Sequence, residues 1–446
     1  MDTTRAFDDL RGLRTDAHAC FGRRADALFE LLDALLVTGP AAAPVHLSLA
    51  PVHRRGWGSL YGALRHGRMS RSALRDLLVR YPLAEGSAIY AVDVSVWARC
   101  DAETSPQRGY YYHPSRHSAG QPIVAGWAYQ WINQLGFAHD SWTAPLDVQR
   151  VYPGEDANAL AATQITELIG RLPPDGPTPL FVFDAGYDPV KLALALGETR
   201  VAFLMRLRCD RCFYADPDPA TAAATGRPRR HGHKLACNDP TTWPAPSAEY
   251  RTETPHYGPV RVRAWANMHA KVQNHAAKGT HGPTPLVRGT LVLVEVSRLP
   301  RQTRHPRALW LWWHGTGTPD LALLWRAYVR RFDQEHTFRF VKQTLGWTTP
   351  RVRYPAQADR WTWLVLLAYT QLRVARATVC DQRLPWERPL PPQALTPYRV
   401  QRVFCTILPL LGTPANAPKP CGRSPGRPKG ARSGPARRYP AIKTAA

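Results

Sequence analysis

The sequence has no apolar run approaching the length of a membrane span. Its opening residues, Met1-Asp2-Thr3-Thr4-Arg5 with acids soon after, lack the basic-then-apolar order of a secretion signal. A cytoplasmic protein is expected. Cysteine is scarce: eight in 446 residues, without regular spacing, exclude a disulfide framework and read as reduced thiols. The nearest approach to a metal pattern is Cys209-x2-Cys212 followed by His231, His233 and Cys237, whose spacing matches no common structural zinc site. There is no internal repeat, and no coiled-coil pattern to set an oligomeric state. Acids are also short. Against 58 Lys and Arg stand 34 Asp and Glu, giving a formal net charge of +24 and a pI near 10.2. Such an imbalance calls for a polyanionic partner, nucleic acid first. Only eight of the basic residues are lysine. The arginine excess suits bidentate phosphate and guanine contacts, although the codons of a GC-rich genome produce the same bias.

What is present has a clear order, and the length predicts two to four structural units. Phe21, Ala25, Leu28, Phe29, Leu32, Leu35 and Leu36 recur at helical steps, and Trp57, Leu60, Tyr61 and Leu64 form a second amphipathic stretch. A turn at His66-Gly67-Arg68-Met69 leads to Ser70, placed as an N-cap, and a third stretch on Leu74, Leu77 and Leu78. Two short helices about a Gly-containing turn fit helix-turn-helix geometry, with Arg71, Arg75 and Arg80 on or near an exposed face. The same spacing serves an ordinary helical bundle with solvated arginines; the net charge favours DNA. From residue 86 the periodicity changes. Ala88–Val94, Gly109–Tyr112, Ile123–Trp127, Leu180–Asp184 and Val201–Met205 read as strands, with helices from Asp156 to Leu172 and near 189–197. That is an α/β layout, in which strand ends carry chemistry. Between about 209 and 314, Pro-, Thr- and Arg-rich loops carry β-like runs at Val260–Arg263, Leu291–Val296 and Leu309–Trp313. Helical spacing returns over 321–345 and again from Trp361 to Ala375. Beyond residue 414 there are eight Lys or Arg and no acid, which predicts a disordered basic tail.

Two of the predicted strands close on an acid, Asp93 and Asp184. Aspartates at the edge of an apolar sheet need a matching charge, either a hard divalent cation or a nearby arginine such as Arg99, Arg206 or Arg208. A third acid comes from the helix at 321–345, where Tyr328, Arg331, Glu335 and Lys342 spell Tyr-x2-Arg-x3-Glu-x6-Lys. Steps of three, four and seven place all four on one helical face. By composition alone the pattern arises on the order of once in 10⁵ starting positions. Asp101 and Glu103 compete with Asp93 as the first acid; Asp188 and Asp333 are expected at the surface.

With these motifs the sequence resembles the DDE transposases of bacterial insertion sequences, in the cut-and-paste group that carries the Tyr-Arg-Glu-Lys signature. The matches are Tyr90-Ala91-Val92-Asp93, Phe183-Asp184-Ala185-Gly186-Tyr187 and Tyr328 through Lys342. The resemblance implies an RNase H-like α/β catalytic core interrupted by a mainly β insertion, with an all-α N-terminal domain. The boundaries are then 1–85 for a helical DNA-binding domain, 86–208 and 315–390 for the two parts of the core, 209–314 for the insertion, and 391–446 for a C-terminal helix and tail. It makes Asp93, Asp184 and Glu335 the catalytic residues and ligands of Mg²⁺ or Mn²⁺, as a pair of ions. It also places Tyr328, Arg331 and Lys342 on transposon-end DNA, and a tryptophan of the insertion on a flipped base. Trp310 is the choice for that base, with Trp312 and Trp313 competing and packing an alternative for each. Arg71 and Arg75 complete the DNA-binding set.

The implied function is a nucleoid-associated bacterial transposase that binds terminal inverted repeats and carries out metal-dependent cleavage and strand transfer, on transposon ends and target DNA, as a synaptic homodimer. A domesticated DNA-binding protein without activity, or an RNase H-like nuclease without strand transfer, are the alternatives. Gly226–Arg230 and Gly426–Gly430 are expected to bind phosphates without sequence preference.

Overall fold

The apolar spacing read from Phe21 to Leu36 becomes α2 (Ala25–Val37), preceded by α1 (Thr3–Ala19) and followed by α3 (Pro44–Leu47), α4 (Trp57–His66) and α5 (Arg71–Leu78). The structure, a computed structural model, describes residues 3–39, 43–83, 87–112, 122–218, 229–271, 285–299, 308–420, 426, 428–432 and 434–443. Contacts divide the chain into unit 1 (Met1–Ser87, Val94–Glu155 and Asp333–Ala446) and unit 2 (Ala88–Asp93 and Asp156–Phe332). No helix among the described residues is long and apolar enough to cross a membrane.

Unit 1 is organised around α10 (Pro355–Ala375), which starts six residues before the expected Trp361 and is buried on nearly every side. Helices α1, α2 and α4 pack on it, as does α11 (Pro397–Leu411). A helix buried all round must satisfy its polar side chains internally. Asp359 of α10 accepts from the Tyr129 hydroxyl at 2.9 Å, Arg150 Nε at 3.0 Å and Arg71 Nη2 at 3.1 Å. Two acids of α2 are matched in the same way. Asp33 takes both terminal nitrogens of buried Arg14 at 2.7 and 3.0 Å, and Glu30 pairs with Arg54 and Arg55.

The strands of unit 1 are the second half of β1 (Ile89–Ala98), β2 (Gly109–Tyr112), β3 (Ile123–Leu135) and β4 (Ala144–Val151), with β2 and β4 antiparallel to β3. β3 extends eight residues past the expected Trp127. Its Gly126 has no room for a Cβ, which would meet the Trp97 carbonyl oxygen at 2.3 Å. β4 gave no sequence signal, because Asp147 and Arg150 stand among its buried residues and remove the apolar alternation. Two described residues of the basic tail hydrogen-bond to the rest of unit 1. Tyr439 N donates to Glu103 O and Ile442 N to Arg108 O, both at 2.7 Å, so this segment uses the free backbone edge beside β2.

Ser70 is the N-cap of α5, its hydroxyl accepting from Ala73 N at 3.2 Å, as the sequence predicts. Ser70→Ala is expected to cost about 1 kcal/mol of unfolding free energy in urea. Arg71 is exposed, as its spacing implies, and also pairs with Asp359, whereas Arg75 is half-buried and its Nε donates to buried Asp147 at 2.7 Å, so both tie α5 to the rest of unit 1.

Unit 2 holds the first half of β1, parallel to β5 (Leu180–Phe183), itself parallel to β6 (Ala202–Arg206). Between them come α6 (Ala157–Ile169), capped by Asp156, and α7 (Pro189–Leu196), capped by Asp188. The segment from 209 continues the same sheet. β12 (Ala308–His314) runs antiparallel to β6, followed in space by β11 (Arg288–Val296) and β10 (Gly258–Ala270). β7 (Cys212–Tyr214), β8 (Lys234–Ala236) and β9 (Ala248–Thr254) complete it; each is short or half exposed and none was legible as a strand. Cys209, Cys212 and Cys237 are free thiols. His231 hydrogen-bonds to His269 and His233 to the Thr242 carbonyl, so neither joins a thiol cluster. Gly226, Arg227 and Pro228 of one basic segment, and Arg427 of the other, lie outside the described residues.

Candidate active site

Pairing register sets the site. Val92 on β1 is opposite Phe183 on β5, so the next residues, Asp93 and Asp184, stand side by side on the same face. Phe183 in turn is opposite Met205, which carries the row on to Arg206. Asp184 closes its strand as expected, whereas β1 continues past Asp93 to Ala98. Neighbouring carboxylates repel and require a cation. The cation comes from the end of α8 (Leu321–Arg330), a helix capped by Asp320 and packed on β9 and β10. Arg331, only 2% exposed, brings Nη1 to 3.5 Å from Asp93 Oδ2 and Nη2 to 4.0 Å from Asp184 Oδ2. Arg206 Nη1 lies 3.6 Å from Asp184 Oδ1.

The expected single helix over 321–345 is two. Arg331 N is shared between the carbonyls of Ala327 and Tyr328 at 3.2 Å each, a tightening of the last turn of α8, and α9 (Phe332–Gln343) follows at once. Tyr328 is buried, with the Arg331 guanidinium 5.6 Å from its ring centre. Burial first, and then the Asp184 carboxylate, push its hydroxyl up, against the opposing pull of Arg331 and Arg206. Tyr187, buried against Phe183, is pushed well above the ordinary tyrosine range by burial and then by Asp93 and Asp184, so its hydroxyl stays protonated.

Glu335 and Lys342 belong to unit 1. Glu335 is exposed, and Lys342 Nζ lies 5.7 Å from the centre of the Trp347 ring. Asp333, expected at the surface, is buried. Asp188 accepts from Val190 N and Lys191 N as the α7 cap. Asp101 and Glu103 are exposed beside Arg351 and Arg438.

Trp310 is 5% exposed, its Nε1 donating to Cys237 O at 2.9 Å and its ring set against Trp243 and Trp265 at 5.1 and 5.3 Å. Trp312 and Trp313 are buried too, and Trp243 is the more open ring of that cluster. Trp310→Phe keeps the stack and strands the Cys237 carbonyl, so a loss of about 1–2 kcal/mol in urea unfolding is expected.

Among the described residues no three His, Cys, Asp or Glu side chains are grouped to hold a metal ion. Within unit 2, however, Asp184 Oδ1 is buried without a hydrogen bond, and Asp93 and Asp184 offer hard oxygens in register. Such a pair fits a divalent cation. A family model, that of the DDE superfamily endonucleases, matches residues 16–271, a stretch that includes both aspartates. The chain belongs to this family. No curated protein matches the chain. Membership makes it a nuclease- or transposase-type enzyme, and DDE endonucleases generally use divalent metal ions. The match stops before α8, so the Tyr-Arg-Glu-Lys segment lies outside it.

Proposed function

We propose that this DDE endonuclease is a cut-and-paste transposase that nicks the ends of its own element and joins the freed 3′-hydroxyl to target DNA. The observation that carries the reading is the in-register pair Asp93 and Asp184 with Arg331 of the Tyr-x2-Arg-x3-Glu-x6-Lys segment set across it. In this reading Asp93, Asp184 and Glu335 hold Mg²⁺ or Mn²⁺, which when bound supplies an activated water and charge stabilisation at the phosphodiester. The rest is done by the chain. Arg331 and Lys342 bind phosphate, the first by a planar fork and the second as a point charge. Tyr328 and Tyr187, buried and protonated, lie beside the carboxylates. The N-terminal helices take the inverted repeats, and two chains pair the ends.

The test is incubation of a plasmid carrying the element's own ends with Mg²⁺ or Mn²⁺. Nicked ends and joined products are both expected. Nicking without joining makes the chain a nuclease, and neither product with intact DNA binding makes it a DNA-binding protein derived from a transposase.

A further inference from the structure

A pocket of about 470 Å³ opens in unit 1 between α4 and the segment Arg351–Tyr354 that leads into α10. That volume suits a small ligand or a piece of a larger one. Its wall carries Arg65, Arg351 and Arg353 and no acid. A fourth guanidinium, that of Arg24, covers Gly62, with Nη1 2.9 Å from where a Cβ would stand. The nearest carboxylate partner is loose: Asp101 lies 3.9 Å from Arg351, with both side chains exposed. Slight desolvation and then Arg65, Arg23, Arg24 and Arg360 hold the neighbouring His66 below the usual histidine range, a sign of dense positive charge.

The walls are held in place. Arg360 Nη1 donates to Leu64 O at 2.6 Å and so ties the end of α4 to α10. The Gln357 side chain accepts from Arg353 N and Tyr354 N at 3.2 and 2.9 Å. Arg65 and Arg353 flank the Tyr354 ring at 5.8 and 5.4 Å. Beside the pocket, one turn apart on α4, Trp57 and Tyr61 are 67% and 39% exposed and meet edge to face at 6.2 Å. Exposed rings next to a cluster of guanidinium groups combine the two elements of single-strand recognition, a stacking platform and a phosphate clamp.

We propose that this pocket binds unpaired nucleotides of the DNA substrate, with phosphates among Arg65, Arg351 and Arg353 and bases against Trp57 and Tyr61. A duplex keeps its bases stacked and leaves these rings unused. The inference rests on the DNA-acting reading above and adds a site built from other residues than Asp93, Asp184, Arg71 and Arg75.

The experiment is fluorescence anisotropy of the full chain with a labelled single strand and with its duplex. Trp57→Ala/Tyr61→Ala should weaken single-strand binding about tenfold and duplex binding less than about twofold. Trp57→Phe/Tyr61→Phe, which keeps both rings, should restore it. Arg65→Gln should weaken binding and flatten its salt dependence by about one unit of slope, and Trp386→Ala, at a ring 79% exposed elsewhere in unit 1, should change nothing. Single-strand affinity within about twofold of the unsubstituted chain in Trp57→Ala/Tyr61→Ala, or equal losses on single strand and duplex, overturns the proposal. Metal-dependent nicking is measured alongside. Nicking with unaltered binding in the variants defeats this inference alone, and the expected binding losses without nicking defeat the active-site reading alone.

Discussion

Asp184→Asn is expected to lower metal-dependent nicking by about 10³-fold, and Asp93→Asn by a similar factor, while DNA binding persists. Asparagine keeps the size and shape of the side chain and removes one negative charge. The charge is what two in-register aspartates supply to a divalent cation, and several kilocalories of transition-state stabilisation go with it; about 4 kcal/mol corresponds to about 10³ in rate. The fold should not pay for this change. Arg331 retains one carboxylate partner in either variant, and the repulsion between neighbouring acids is relieved, so stability in EDTA should fall by less than about 0.5 kcal/mol. A plasmid nicking time course in Mn²⁺, with urea unfolding of the same preparations, measures both. A residual rate within about tenfold of the unsubstituted chain at either position would remove the aspartates from the site.

These two acids were legible because each follows a short apolar run, Ala88–Val92 and Leu180–Phe183, and parallel pairing of those runs places their last residues together. What the runs could not tell was that β1 continues through Asp93, because Val94, Val96 and Trp97 look the same in a strand end or a strand centre. The Tyr-x2-Arg-x3-Glu-x6-Lys spacing marked a helical stretch but implied an unbroken helix; the shared hydrogen bond at Arg331 depends on packing, which spacing does not encode. Arginine was the least readable residue type. Arg71 and Arg75 have the spacing of an exposed helix face, yet their partners, Asp359 and Asp147, lie 288 and 72 residues away in sequence. Charged residues inside β4 hid a whole strand for the same reason: a buried ion pair erases the apolar pattern by which strands are found. Trp310 shows the converse limit, since a tryptophan on an apolar strand reads alike whether it packs or binds.

Arg331→Ala should produce effects of opposite sign in one site. The guanidinium is almost wholly buried and stands 3.5 and 4.0 Å from the two carboxylates, so its removal takes a positive charge from between adjacent like charges. Breaking a fully buried pair costs about 3–5 kcal/mol; Asp93 and Asp184 are 23% and 39% exposed, which screens part of this. A loss of about 2 kcal/mol in EDTA is expected, read by urea unfolding. The same deletion removes the cation with which a divalent ion competes for these oxygens, so Mn²⁺ affinity in the absence of DNA should rise about tenfold, equivalent to about 1.4 kcal/mol. Saturating Mn²⁺ should therefore narrow the stability gap between variant and unsubstituted chain. Nicking should nevertheless fall, on the order of 10²-fold, because the phosphate loses its planar clamp. Arg331→Lys keeps a charge without the fork and should lie between the two in stability while recovering little activity. An arginine that only supports the fold would lower stability equally with and without Mn²⁺ and leave metal affinity unchanged. Calorimetric titration of Mn²⁺ into the two proteins separates that outcome from the one expected.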